Sequence, residues 1–357
     1  MERVDGGEPA RGCIGVVMGK LLRLFTILLV LGLIAGAGLA WWGHRWLQTP
    51  IATLTEPVIF EVPKGASLRT VASSLNDQNL LDEPQLWTAW ARITKRAHSL
   101  KAGEYSLSPG LTPSGLLDLL NSGEVLLHSI TFIEGSTFAD MRKVLAQSPT
   151  VLNKYAAATP EEIMRTLGQA NLHPEGQFFP DTYRYPRNTT DIELLGMAFR
   201  RMQQEVKAAW ESRAKDLPLA GPYEALILAS IVEKETALDS ERPQIAGVFI
   251  ERLRRGMRLQ TDPTVIYGMM TAYDGNIRRT DLLRDTPYNT YTRAGLPPTP
   301  IALPGLDSIR AAVQPAHTGA LFFVATGNGD GSHYFSRTLA EHNAAVKRYL
   351  QKLRSNR

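Results

Sequence analysis

The uncharged apolar run from Leu24 to Gly43 restricts this chain more than any other stretch of it. Coiled as a helix, about 20 residues reach roughly 30 Å, the depth of a bilayer's hydrocarbon core, and a run with no polar face has no reason to lie on a soluble domain. A single membrane span over 24–43 is therefore expected, preceded by a cytoplasmic segment 1–23. Arg3, Arg11, Lys20 and Arg23 come before the run and only Arg45 follows before Lys64. That basic bias puts the N-terminus in the cytoplasm. Trp41, Trp42 and Trp46 would mark the outer interface. A cleaved signal peptide is the rival, but no clean A-x-A site ends the run. On either reading the chain beyond residue 46 is exported, and the expected location is the cell inner (cytoplasmic) membrane with the remainder periplasmic.

With 357 residues, 44% of them hydrophobic, the chain can bury more than one core. The net charge of +4 is mild, and the densest basic cluster, Arg252-Leu253-Arg254-Arg255, closes a predicted helix where cations suit the dipole. Nucleic acid is not an expected partner. The single cysteine, Cys13, excludes an internal disulfide framework and a Cys-based metal site.

After a linker over 44–56, a weak repeat runs through 57–148. Gly65, Ser67, Val71 and Leu75 are followed by Gly110, Thr112, Leu116 and Leu120, then by Gly135, Thr137, Met141 and Leu145. Each set reads as a glycine turn, a Ser/Thr N-cap and a helix with apolar residues four apart. The strands feeding them are expected at 58–62, 103–107 and 126–133. About 20 residues of the first copy, Phe60 to Leu75, resemble the opening of LysM glycan-binding modules. A spacer holding the next domain above the membrane is the plain alternative.

The remainder, 149–357, reads as mainly helical with a small β region around 257–335. Helices are expected from Pro160, over 191–213, from Pro222 and from Ser240, the last closed by Gly256. Between the first two lies the aromatic loop Pro174 to Tyr183, with Phe178 and Phe179 as its core anchors. Met257 to Asp262 should be extended, because Pro263 disfavours helical geometry in the residue before it. Leu321 to Phe335 reads as a hairpin around a glycine-rich loop, not a phosphate cradle.

On a helical wheel the stretch from Pro222 buries Ala225, Leu228, Ala229 and Val232, and Glu235 falls between Leu228 and Ile231. Glu233 projects with Ser230 and Lys234 onto the polar side, where it should be solvated and its Gln variant nearly silent. A carboxylate among apolar neighbours is disfavoured as an anion, so the pKa of Glu235 should rise until it can serve as a general acid. Around it the candidates are Gln260, Thr261, Asp262, Tyr288, Asn289 and Tyr291 as substrate-binding groups. No nucleophile-elbow serine, reactive cysteine or metal-spaced histidine pair is present; His173, His317, His333 and His342 stand alone. No metal or cofactor is called for. Acid/base work on a glycosidic bond fits what is left, yet most glycosidases need two carboxylates. A substrate that carries its own nucleophile, such as the C6 hydroxyl of muramic acid, removes that need; Glu175 and Asp181 are the reserve carboxylates otherwise.

The stretches Ala229 to Thr236, Gly256 to Gly268, Tyr288-Asn289-Thr290-Tyr291 and Gly295-Leu296-Pro297-Pro298 together resemble the MltG (YceG-like) endolytic murein transglycosylases. By position in the motif the family's catalytic glutamate corresponds to Glu235. The resemblance implies lytic cleavage inside nascent peptidoglycan strands, near the peptidoglycan synthases. It leaves two rivals: a muramidase using water with Asp262 or Asp181 as second carboxylate, and a non-catalytic glycan-binding scaffold. The fold class expected overall is α+β: one span, a LysM-like α+β module, and a mainly helical catalytic domain.

Overall fold

The computed structural model describes residues 12–97 and 100–355. Arg3 and Arg11, part of the expected cytoplasmic segment, lie outside them. The chain divides into two compact units, Met1–Leu126 and Leu127–Arg357.

The first unit opens with helix α1, Gly12–Gln48. Its stretch Leu22–Gln48 is long and apolar enough to cross a membrane, and residues 22–42 all stand exposed. The helix continues past the expected end of the span, and Leu47 is buried while Trp46 and Ile51 pack on the unit's core. The first five residues of the expected linker, 44–48, are thus helix. Strands β1 (Val58–Val62) and β2 (Gly103–Leu107) pair antiparallel, with Phe60 opposite Tyr105. Three ten-residue helices cover them: α2 (Leu68–Asp77), α3 (Pro84–Ile93) and α4 (Pro113–Ser122). The Ser67 and Thr112 side chains accept from the N–H groups of Thr70 and Gly115, so both helices start where the sequence places a cap. Phe60, Val71, Leu75, Trp87, Tyr105 and Leu116 fill the core.

Nothing in this architecture singles out a LysM-like module over 57–148. The third copy of the strand-and-helix repeat, β3 (Leu127–Thr131) and α5 (Phe138–Gln147), belongs to the second unit, where β3 pairs antiparallel with β5 (Thr182–Pro186). Two-residue strands β4 (Val151–Leu152) and β6 (Thr189–Thr190) pair with each other in parallel as a separate ladder, with α6 (Pro160–Thr166) between them in the chain. The long helix α7 (Asp191–Glu211) follows, opened by a capping box between Thr190 and Glu193.

The rest of the unit is helical around α8 (Pro222–Glu235), followed by α9 (Arg242–Arg254), α10 (Asp262–Met269), α11 (Arg279–Leu283) and α12 (Leu306–Val313). The expected hairpin is present as β7 (Phe322–Ala325) and β8 (His333–Ser336), and α13 (Leu339–Ser355) ends the described chain. Asp262 opens α10 instead of closing an extended segment. Pro263 then occupies the first turn, where its missing N–H has no intrahelical partner to lose, and Asp262 complements the positive end of the dipole.

Helix α8 departs most from its sequence reading, for all of 225–232 is buried, Ser230 included. A helix packed on every side shows no clean polar face, so the wheel had a stripe to find on one side only. Ser230 satisfies its hydroxyl by donating to the Ile227 carbonyl at 2.7 Å and accepting from Ile301 N–H at 3.0 Å. Ile227, Leu228, Ile231 and Val232 share a core with Ile245, Phe249, Ile309 and Val313 of α9 and α12.

Candidate active site

Glu235 is the last residue of α8, where unpaired carbonyls make the local field negative. The residue is half-buried, and its Oε1 accepts a short hydrogen bond from the Thr261 hydroxyl. Desolvation dominates the carboxyl's behaviour. It pushes the pKa up to about 7, and the Asp262 charge adds to the rise; the Thr261 bond and the positive charge of Arg252 oppose it, as does His333 when it carries a proton.

Thr261 is held still by two other buried threonines. Its N–H donates to Thr290 Oγ1 at 3.0 Å, Thr264 Oγ1 donates to its carbonyl at 2.7 Å, and the Thr264 and Thr290 hydroxyls lie 2.9 Å apart. Gln260 N–H bonds the Thr290 carbonyl at 3.1 Å. That bond fixes a backbone with φ of +49° at Gln260, a left-handed conformation that a side chain makes unfavourable. Arg252 grips the same segment from α9: its guanidinium donates to the carbonyls of Leu259 and Leu321, each at 2.7 Å.

Of the residues expected to bind substrate, Thr261, Asp262 and Tyr291 gather at Glu235. The Tyr291 hydroxyl donates to Asp262 Oδ1 at 2.6 Å, and burial raises the phenol's pKa. Gln260 stands exposed beside them in the chain. Asn289 and Tyr288 are occupied elsewhere. Asn289 is 1% exposed and its amide hydrogens go to the carbonyls of Asp281, Leu282 and Arg284 at 3.2, 3.1 and 2.7 Å, while its oxygen accepts from Tyr291 N–H at 2.8 Å. It therefore ties α11 to the loop carrying Tyr291 and has no free group for a sugar amide. Tyr288 bonds Thr299 at 2.8 Å and stands edge-on to Tyr267 at 4.9 Å.

Glu233 is not solvated. Its side chain is 7% exposed, lies 3.8 Å from Arg242 Nη2 and accepts from Gly305 N–H, the cap of α12, at 3.0 Å. The reason is the all-round burial of α8: the side opposite the Glu235 stripe meets α12 instead of water. Of the reserve carboxylates, Asp181 is exposed and binds the N–H of Thr182, whereas Glu175 is 4% exposed. Glu175 accepts from Phe138 N–H at 2.9 Å and the Tyr267 hydroxyl at 3.1 Å, and burial lifts its pKa to about 7.

His333, which stands alone in the sequence, has a partner in the fold. In the structure its ring nitrogen Nδ1 lies 2.7 Å from Glu241 Oε2, across a separation of 92 residues that no local pattern reveals.

Comparison with known proteins places this chain in a family. The endolytic murein transglycosylase of Bacillus subtilis (strain 168) is 30% identical over 310 residues, covering 82% of this chain and 85% of that protein. The endolytic murein transglycosylase of Streptococcus pneumoniae (serotype 2, strain D39) is 25% identical over 364 residues, 92% of this chain, which spans 65% of the streptococcal protein's length. A crystal structure of a YceG-like protein from Listeria monocytogenes aligns over 81% of this chain and 98% of its own, with 26% identity and a TM-score of 0.47. The profile of the YceG-like family matches residues 60–348, most of the chain, and so the protein belongs to the YceG-like family.

Proposed function

We propose that the protein is a membrane-anchored endolytic lytic transglycosylase that cuts MurNAc-GlcNAc bonds within peptidoglycan strands. The observation that carries this is Glu235, a carboxyl with a pKa near 7 held by Thr261 in a chain of the YceG-like family. At neutral pH about half of such carboxyls hold a proton, which suits a group that must give one up and take it back.

Glu235 donates its proton to the bridging oxygen as the bond from that oxygen to C1 of the MurNAc breaks. The C6 hydroxyl of the same sugar then attacks C1, and its proton passes to the Glu235 carboxylate. A 1,6-anhydro ring closes and the acid is restored. Thr261 orients the carboxyl throughout, and the Asp262 and Tyr291 pair borders it. Localisation with the N-terminus in the cytoplasm, a glycan-binding role for the LysM-like stretch, and work beside peptidoglycan synthases belong to the same proposal.

Mass spectrometry of the released muropeptides tests the reaction. Anhydro ends are expected; reducing ends without them would mean a water-using muramidase, with Asp262 as the natural second carboxylate. No release by the wild-type protein, with strand binding retained, would favour a non-catalytic scaffold.

A further inference from the structure

Glu241, the residue just before α9, is 8% exposed and its carboxylate receives two bonds from one partner: His333 N–H at 2.9 Å and His333 Nδ1 at 2.7 Å. The imidazole opens β8 and is set edge-on against Phe323, 5.5 Å between ring centres, and Phe323 stands edge-on to the buried Phe249. Two contacts thus fix the ring, and a third fixes its main chain. With its hydrogen on Nδ1 committed to Glu241, the neutral imidazole has Nε2 as an acceptor, and no described residue bonds that atom.

This ring belongs to the neighbourhood of Glu235. Glu241 follows Glu235 by six residues, and Gly331 at the hairpin tip faces Leu238 in the turn between them, 3.9 Å from where a Cβ would sit. When protonated, the imidazole is near enough for its charge to act on the Glu235 carboxyl. Among the polar groups there, Thr261 is committed to Glu235, Asp262 to Tyr291, and Arg252 to main-chain carbonyls. Besides the second oxygens of Glu235 and the exposed Asp262, and the exposed Gln260, the His333 Nε2 is a polar atom there with no bond to a described residue.

We propose that His333 is a further substrate-contacting residue of this site: Glu241 fixes the ring through Nδ1, and Nε2 accepts a hydrogen bond from a sugar hydroxyl next to the bond that Glu235 protonates. The assignment rests on the glycan-cleaving reading of the site, because a glycan strand presents hydroxyl donors along its length where an apolar or anionic ligand would not.

The test separates binding from chemistry by working in the Glu235→Gln background. Full-length protein in detergent micelles is titrated with purified uncrosslinked peptidoglycan strands, comparing E235Q with E235Q/H333N and E235Q/H333Q, each checked for a cooperative thermal transition. Asn retains an amide near the Nδ1 position and can keep Glu241 while losing the outer nitrogen; Gln places its amide near Nε2. The expected result is a strand Kd raised about fivefold or more in E235Q/H333N, a loss on the order of 1 kcal/mol, with E235Q/H333Q within about twofold of E235Q. Unchanged binding by E235Q/H333N, or equal loss in both variants, would overturn the contact. If H333N does not fold, H333Q decides: retained binding supports the assignment and a fivefold loss defeats it. Failure of the catalytic reading appears separately, as undiminished strand cleavage by E235Q alone.

Discussion

At Glu235 three residues' worth of chemistry meet in one proton. Replacing the carboxyl by the amide of Glu235→Gln preserves shape and removes the acid, so strand cleavage should fall about 10²- to 10⁴-fold with binding retained, as release assays on purified strands will report. Thr261→Val should act through pH. The hydroxyl bond holds the pKa of Glu235 below where burial alone would put it, so its loss raises that pKa further above 7. A step that requires protonated Glu235 loses rate as pH climbs through the pKa. The falling limb of the kcat profile should therefore move to higher pH in the variant, and an unmoved limb would exclude Thr261 as a tuning group. Glu233 is the structural counterpart. Glu233→Ala strips the acceptor from Gly305 N–H and one of the carboxylates beside buried Arg242, which also pairs with Asp239, and should lower stability by about 1–3 kcal/mol in denaturant melts. The helical wheel separated the two glutamates correctly in direction but not in environment, because it encodes which way a side chain points and not what the neighbouring helix puts there.

Among the elements, those with strong end signals were readable from the chain. Pro222 starts α8, Thr137 caps α5, and β1 and β2 occupy 58–62 and 103–107, the strands expected to feed the glycine turns of the repeat. Partners were not readable. The pairing of β3 with β5 joins Ile130 to Tyr183, and periodicity carries no information about which distant strand completes a sheet. Nor did it reveal how tightly α9 lies against the chain after α12. A Cβ added to Gly247 would come within 2.1 Å of the Ala316 carbonyl oxygen, while Ala316 N–H already bonds the Pro243 carbonyl at 2.8 Å. Both partners are main chain and cannot turn aside. Gly247→Ala is thus expected to destabilise by roughly 1–3 kcal/mol despite the better helix propensity of alanine, visible as a lowered Tm.

For the molecule as a whole, the site motifs, the helical character and the apolar N-terminal run were legible, but the division after Leu126 was not, since the repeat continues across it. Two desolvated carboxyls, Glu175 and the half-buried Glu235, also write a pH dependence into the second unit. Glu175 and Glu235 both titrate near 7 when folded, against an ordinary value of 4.5. Between those values the folded chain holds protons that the unfolded chain has released, so stability is highest below about 4.5 with respect to these groups and declines as pH rises to about 7. Each shift, taken alone, is worth on the order of 3 kcal/mol. In Glu175→Gln the acceptor for Phe138 N–H survives without the titration, and its melting curves should lose a share of that decline. Helix α8 supplies a last consequence. An element enclosed on every side opens only when everything around it opens, so the amides of 226–232 should be among the slowest in the protein to exchange with deuterium. Glu235 rides on the end of that element, and on heating the enzyme should keep its cleavage rate up to the brink of global unfolding instead of fading through local loosening.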